Sequence, residues 1–156
     1  MRMKILMVCL GNICRSPLAE GIMKAKAKKY NLDIEVDSAG TAAYHVGELP
    51  DPRSMEIAAR YGIDISDQRA RKFRAEDFDR FDKIYAMDGY NFSDIAALSR
   101  NGKDLEKLQM ILDTTHPGQN KSVPDPYYGG KDGFNHVFKL LDDACEVIAK
   151  NISNHK

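Results

Sequence analysis

Cys9 and Arg15 bracket five residues, Leu10-Gly11-Asn12-Ile13-Cys14, and Ser16 follows at once, giving the pattern Cys-x5-Arg-Ser. A phosphate monoester is cleaved by a nucleophile in line with the leaving group, with donors ranged around the equatorial oxygens. A short loop meets both needs when its backbone N–H groups curl toward one centre as an anion nest. Gly11 would relax the tight part of such a turn, and Asn12 tolerates a left-handed backbone. Arg15 offers a planar guanidinium that fits a pair of oxygens, a match that lysine lacks. Helix N-termini and nearby cations favour thiolates, so Cys9 is expected as a thiolate at neutral pH, with the Ser16 hydroxyl placed to hydrogen-bond it. The bland alternative is a buried strand-end cysteine with an unrelated arginine downstream, and the flanking elements decide between them.

Met3 to Val8 is an apolar run broken by one charge, which predicts a strand buried on both faces. Ser16 reads as an N-cap and Pro17 as the first position of a helix that continues to about Tyr30. Strand, loop and helix in that order open a βαβ unit, and they weigh toward function at Cys9. Ile34–Ser38 alternates as a second strand. Asp51 and Pro52 start a helix that stops at Gly62. Ala75–Phe81 reads as a short acidic helix, Lys83–Met87 as a third strand, Asn91–Leu98 as a helix and Leu108–Leu112 as a fourth strand. Thr114–Gly130 is a long loop of the kind that is commonly functional. Phe134–Ile152 closes the chain as an amphipathic helix, with Val137, Leu140, Leu141, Ala144, Cys145 and Ile148 on one face.

The alternation predicts an α/β fold: a single domain over residues 1–156 with a four-stranded parallel sheet flanked by helices on both faces, flavodoxin-like or Rossmann-like. In such sheets sites lie at the carboxyl ends of strands, where the Cys9 loop falls. Lys plus Arg equals Asp plus Glu at 23 each, so a nucleic-acid partner, which leaves a basic excess, is not expected. Anion recognition must be local. An odd count of three cysteines argues against a secreted disulfide framework. The four histidines, His45, His116, His136 and His155, are scattered and read as surface or satisfied residues, so no metal or cofactor is expected. The apolar start is too short for a signal peptide, and no stretch suits a membrane span. A cytoplasmic protein is expected.

The stretch Cys9 to Pro17 resembles the phosphate-binding loop of the low-molecular-weight protein tyrosine phosphatases. The resemblance runs on through Asp37-Ser38-Ala39-Gly40-Thr41, Ala86-Met87-Asp88 and Asp125-Pro126-Tyr127-Tyr128, and so spans essentially the whole chain. It implies Cys9 as nucleophile, Arg15 and the loop residues Leu10, Gly11, Asn12, Ile13, Cys14 and Ser16 as the phosphate cradle, and phosphotyrosine-containing proteins, phosphate or other oxyanions as partners.

Loss of the tyrosyl oxygen needs a general acid. The residues alone leave two Asp-Pro candidates: Asp51, which sits where a helix N-cap belongs, and Asp125, in the long loop with no helix to cap. The resemblance matches Asp125 to the family's acid. Tyr127 and Tyr128 read either as loop anchors or as walls flanking a phenyl ring, and Tyr44 matches a further wall by resemblance. Cys14 contributes a backbone N–H or, as the family implies, forms a reversible disulfide with Cys9. Cys145 reads as core. Gln68-Arg69-Ala70-Arg71 departs from the family's His-x-Ala-Arg, whose histidine braces the loop through residues matching Ser38 and Asn12; glutamine bonds but carries no charge. The rival readings are an arsenate reductase of the same fold, which needs further relay cysteines, and a non-catalytic phosphate-binding module, which needs neither Cys9 nor Asp125.

Overall fold

Ile5 and Met7 face one side of strand β1 (Met3–Cys9), Leu6 and Val8 face the other, and all are fully buried. Burial on both faces is why the run is apolar without alternation. The computed structural model describes residues 2–126 and 130–154. In chain order, β1 is followed by α1 (Arg15–Lys29), β2 (Ile34–Gly40), α2 (Pro52–Arg60), α3 (Asp77–Arg80), β3 (Lys83–Ala86), α4 (Gly89–Ala97), α5 (Gly102–Lys107), β4 (Leu108–Met110), a short 3-10 turn (Ile111–Asp113) and α6 (Gly130–Asn154). The strands pair in the order β2-β1-β3-β4, all parallel.

Helices cover both faces. Leu18, Ile22 and Met23 of α1, Ile57 and Ala58 of α2, and Val137, Leu141 and Ile148 of α6 pack on the Ile5/Met7 side. Phe78 of α3 and Ile95 of α4 join Phe73 and Phe81 on the Leu6/Val8 side. The chain leaves β1 for β2 on one flank and returns to β3 on the other, so the strand order reverses between β1 and β3. Ligands of open α/β sheets bind at that switch point. Cys9 ends β1 there, and Asp88 follows β3.

Several boundaries differ from expectation. Helix α1 begins at Arg15 with Cys14 as N-cap and no side-chain cap bond; Ser16 is not the cap, because its hydroxyl is engaged with Cys9 and Asn12. Helix α5 was not anticipated: six residues are too short for a periodic signal, although Asn101 Oδ1 accepts from the Asp104 N–H at 3.0 Å as a cap. The acidic helix shrinks to Asp77–Arg80, and α6 starts at Gly130, ahead of Phe134. Asp51 does cap α2, accepting from the Arg53 N–H at 2.8 Å, and Gly62 past its end has φ of 76°. Among the described residues no helix is long and apolar enough to cross a membrane.

Candidate active site

Beyond Cys9 the backbone turns over with its carbonyls outward. Thr41 and Ala42 N–H groups donate to the Cys9 and Leu10 carbonyls at 2.9 Å each, and the Asp51 N–H to the Ile13 carbonyl at 2.8 Å. The Ser54 hydroxyl donates to the Cys14 carbonyl at 3.2 Å. The N–H groups of residues 10–14 meet no backbone carbonyl among the described residues. Gly40, paired with Cys9 across the sheet, lets the loop lie flat: a Cβ there would stand 2.7 Å from the Leu10 carbonyl oxygen and 3.0 Å from the Asn12 nitrogen.

Asn12 adopts the left-handed backbone expected, with φ of 57°. Gly11 does not have a positive φ; it is needed for space, since a Cβ would sit 3.1 Å from His45 Cδ2. The Asn12 and Ser16 side chains lie behind the loop and do not line the cleft. Asn12 Nδ2 donates to Ser16 Oγ at 2.8 Å and to Ser38 Oγ at 2.9 Å, while its Oδ1 accepts from the Arg71 N–H at 3.0 Å. Ser16 Oγ is 3.0 Å from Cys9 Sγ. Gln68, in the histidine position of the resemblance, donates from Nε2 to the Pro17 carbonyl at 3.1 Å, and its Oε1 is buried without a partner among the described residues.

A cleft of about 300 Å³ is lined by Cys9, Leu10, Gly11, Ile13, Cys14, Arg15, Tyr44, His45 and Asp125. A larger cavity, about 610 Å³, lies at the opposite ends of the strands around Met3, Ile34 and Lys83, and holds none of these groups. Arg15 is buried, with Nη1 donating to Asp88 Oδ2 at 2.7 Å and to the Val123 carbonyl at 3.0 Å. Its Nε and Nη2 make no hydrogen bond among the described residues. Asp88 Oδ1 accepts from the Asn91 N–H at 2.7 Å and so also caps α4. Its role was missed in the sequence, where the signal was an acidic residue directly after a buried strand at the switch point.

The two Asp-Pro candidates separate. Asp51 is buried, absent from the cleft lining and bonded twice to the Arg53 guanidinium at 3.0 Å. Burial pushes its carboxyl up, but the Arg53 hydrogen bonds and charge together hold it below the ordinary carboxylate range. Asp125 is exposed and lines the cleft with Cys9 and Arg15. Tyr44 stands at the rim, 78% exposed. His45, read from sequence as an ordinary histidine, also lines the rim, its Nδ1 held 2.7 Å from Glu48 Oε2. Tyr127 and Tyr128 lie outside the described residues.

Cys14 is a buried free thiol. Burial above all, then the negative charges of Asp51, Cys9 and Asp125, push its pKa up to about 12 against a smaller opposing pull from Arg53. Cys145 is fully buried in α6, its Sγ directed to the Ala19 carbonyl at 3.8 Å. Among the described residues no group of three or more His, Cys, Asp or Glu side chains is placed to hold a metal ion.

The profile of a family described as low molecular weight phosphotyrosine protein phosphatase matches residues 4–156. A Synechocystis protein named for the low-molecular-weight protein-tyrosine-phosphatases is 50% identical over 145 residues, covering 92% of each chain. The fold is similar to a protein tyrosine phosphatase from Entamoeba histolytica, solved with Hepes in its active site, at a TM-score of 0.91 and 37% identity over 98% of each chain. It is also similar to a Drosophila arginine phosphatase, at a TM-score of 0.86 and 34% identity, over 96% of this chain and 97% of that one.

Proposed function

We propose, for a chain that belongs to the low-molecular-weight phosphotyrosine protein phosphatase family, that residues 1–156 form one phosphatase domain hydrolysing phosphotyrosine in proteins, and small aryl phosphates, through a phosphocysteine on Cys9. The observation that carries this reading is the convergence of Cys9, Arg15 and Asp125 on one cleft at the switch point of the sheet.

The phosphoryl group sits over the loop, with its equatorial oxygens on the N–H groups of Leu10 to Cys14 and on the free edge of the Arg15 guanidinium. The Cys9 thiolate attacks phosphorus in line with the leaving oxygen, and Ser16 Oγ, 3.0 Å away, steadies the sulfur in the nucleophilic and departing steps. Asp125 protonates the tyrosyl oxygen as the P–O bond breaks. Its carboxylate then takes a proton from water, which attacks the phosphocysteine, releases phosphate and returns the thiolate. Arg15 and the loop amides bear the phosphoryl charge throughout. The rim formed by Tyr44 gives the cleft a depth that favours an aryl ester over the shorter phosphoserine. The free buried thiols suit the reducing cytoplasm.

Against arsenate reduction, Cys145 is sealed in the core and cannot relay a disulfide from the loop. The test is turnover of p-nitrophenyl phosphate without added reductant, with Cys9→Ser beside the parent protein. Sustained release by the parent and none by the variant, which still binds phosphotyrosine, is the expected result; turnover by Cys9→Ser would overturn the assignment. Because a similar fold belongs to an arginine phosphatase, phosphotyrosine and phosphoarginine peptides should be compared. A preference for phosphoarginine would replace the substrate while keeping the Cys9 chemistry.

A further inference from the structure

Behind the loop, hydrogen positions follow from the fixed ends of one hydrogen-bonded chain. The Arg71 backbone N–H can only donate, so the Asn12 side-chain oxygen faces it and the Asn12 NH₂ must face the serines. Both serine oxygens therefore accept from Asn12, and each hydroxyl has one hydrogen left. That of Ser38 goes to Glu20 Oε1 at 2.7 Å. That of Ser16 has Cys9 Sγ at 3.0 Å and the Ala39 carbonyl at 3.4 Å, and the sulfur is the nearer acceptor.

Glu20 is the far anchor of this chain. It lies one helical turn beyond Ser16 on α1, 4% exposed, with its second oxygen taken by Lys24 Nζ at 2.6 Å. Burial is the larger influence on its carboxyl and raises its pKa, opposed by bonds from Lys24 and Ser38. A buried carboxylate costs stability unless fully bonded, and on a helix whose neighbouring positions are Leu18, Ala19 and Met23 an apolar residue would pack more cheaply. Gln68 does not brace Ser38, since its N–H groups are directed to Pro17.

We infer that Glu20 is a positioning residue for the Cys9 nucleophile: by accepting the Ser38 hydroxyl it anchors the Ser38–Asn12–Ser16 chain that keeps the Ser16 hydrogen on the Cys9 sulfur. The inference rests on the reading of Cys9 as nucleophile. Glu20 touches neither substrate nor sulfur. Without it the Ser38 hydrogen loses its acceptor, and Asn12 loses part of what holds it in a left-handed conformation that non-glycine residues otherwise avoid. Ser16 then moves off Cys9.

The experiment compares Glu20→Ala, Ser38→Ala, the double variant and Glu20→Gln. It reads the pH midpoint of Cys9 alkylation by iodoacetamide, resolved by peptide mass spectrometry, and kcat for p-nitrophenyl phosphate. Each alanine variant is expected to raise the midpoint and lower kcat about tenfold, the size of one hydrogen bond to a charged group. The double variant should be no worse than either single, because both act through one chain. Glu20→Gln retains an acceptor for Ser38 and should stay near the parent midpoint, a rescue that general destabilisation would not give. An unshifted midpoint in Glu20→Ala, or effects that multiply in the double variant, overturns the inference. If Glu20→Ala does not fold, an unshifted midpoint in Ser38→Ala does so instead. Those outcomes with a dead Cys9→Ser variant sink only the role of Glu20, whereas an active Cys9→Ser variant sinks the proposed function itself.

Discussion

Arg15 Nη1 lies 2.7 Å from Asp88 Oδ2, in a pair whose side chains are 4% and 17% exposed. The arginine that faces the cleft is thus held from behind by a residue of another strand end. With the Val123 carbonyl on the same nitrogen, one edge of the guanidinium is fixed and the other is left to an anion. A cation so deeply buried has no good alternative to its partner.

Breaking that pair should be costly. Asp88→Ala is expected to destabilise the fold by about 3–5 kcal/mol, the usual cost of stranding a buried charge. Asp88→Asn, which keeps the cap on the Asn91 N–H, should be milder by about 1 kcal/mol. Urea denaturation measures both, and KM for p-nitrophenyl phosphate should rise in each as Arg15 loses its aim. Equal stabilities for the two variants would remove the capping contribution.

Asp125→Asn should lower kcat about 10²–10³-fold, within the range for loss of a general acid, with the larger drop on esters of poor leaving groups. The parent protein should turn over faster in mildly acidic than in alkaline buffer, because the acid must start protonated. A rate that climbs steadily toward alkaline pH would remove Asp125 from that step.

Gly40 and Gly21 separate catalysis from stability. A Cβ at Gly40 would strike backbone atoms of the anion loop, so Gly40→Ala should depress kcat/KM severely. A Cβ at Gly21 would sit 2.5 Å from Ile65 Cγ2, a packing clash away from the loop. Gly21→Ala should cost about 1–3 kcal/mol and leave kcat/KM of the folded fraction unchanged. Thermal melts and steady-state kinetics on both variants check the contrast.

Alkaline stability should fall early. Burial pushes Cys14 and Tyr85 each up to about 12, and Cys145 is also raised by burial. In the unfolded chain the thiols ionise near 9 and the tyrosine near 10. From there upward the unfolded state sheds protons that the folded state retains. Their contribution to stability is therefore whole below pH 9 and is lost as the pH rises toward 12, at up to about 1.4 kcal/mol per unit for each group. Denaturation midpoints at pH 8 and 10.5 test the sign. At pH 7 the raised Cys14 thiol should react little with iodoacetamide, which peptide mass spectrometry checks.

The four strands and most helices were legible because burial leaves a pattern: β1 is apolar apart from Lys4, and α6 repeats Val137, Leu141, Ala144 and Ile148 along one stripe. The cysteine, arginine and cleft aspartate were legible as a local motif and a resemblance. What escaped reading was long-range or short in sequence. Asp88 meets Arg15 across 73 positions and Glu20 meets Ser38 across 18, contacts that a linear pattern does not encode. His45 reached the rim by a loop path, and α5 was too brief to show a helical repeat. Ser16 obeyed the rules for a helix cap, yet its hydroxyl is used by the cysteine.

The outward carbonyls of the loop are bonded to groups of the protein itself, on Thr41, Ala42, Asp51 and Ser54. Such a cradle needs no closure step, and it greets the leaving product as readily as the incoming ester. Inorganic phosphate should therefore act as a competitive inhibitor, so that cellular phosphate levels set a standing brake on turnover.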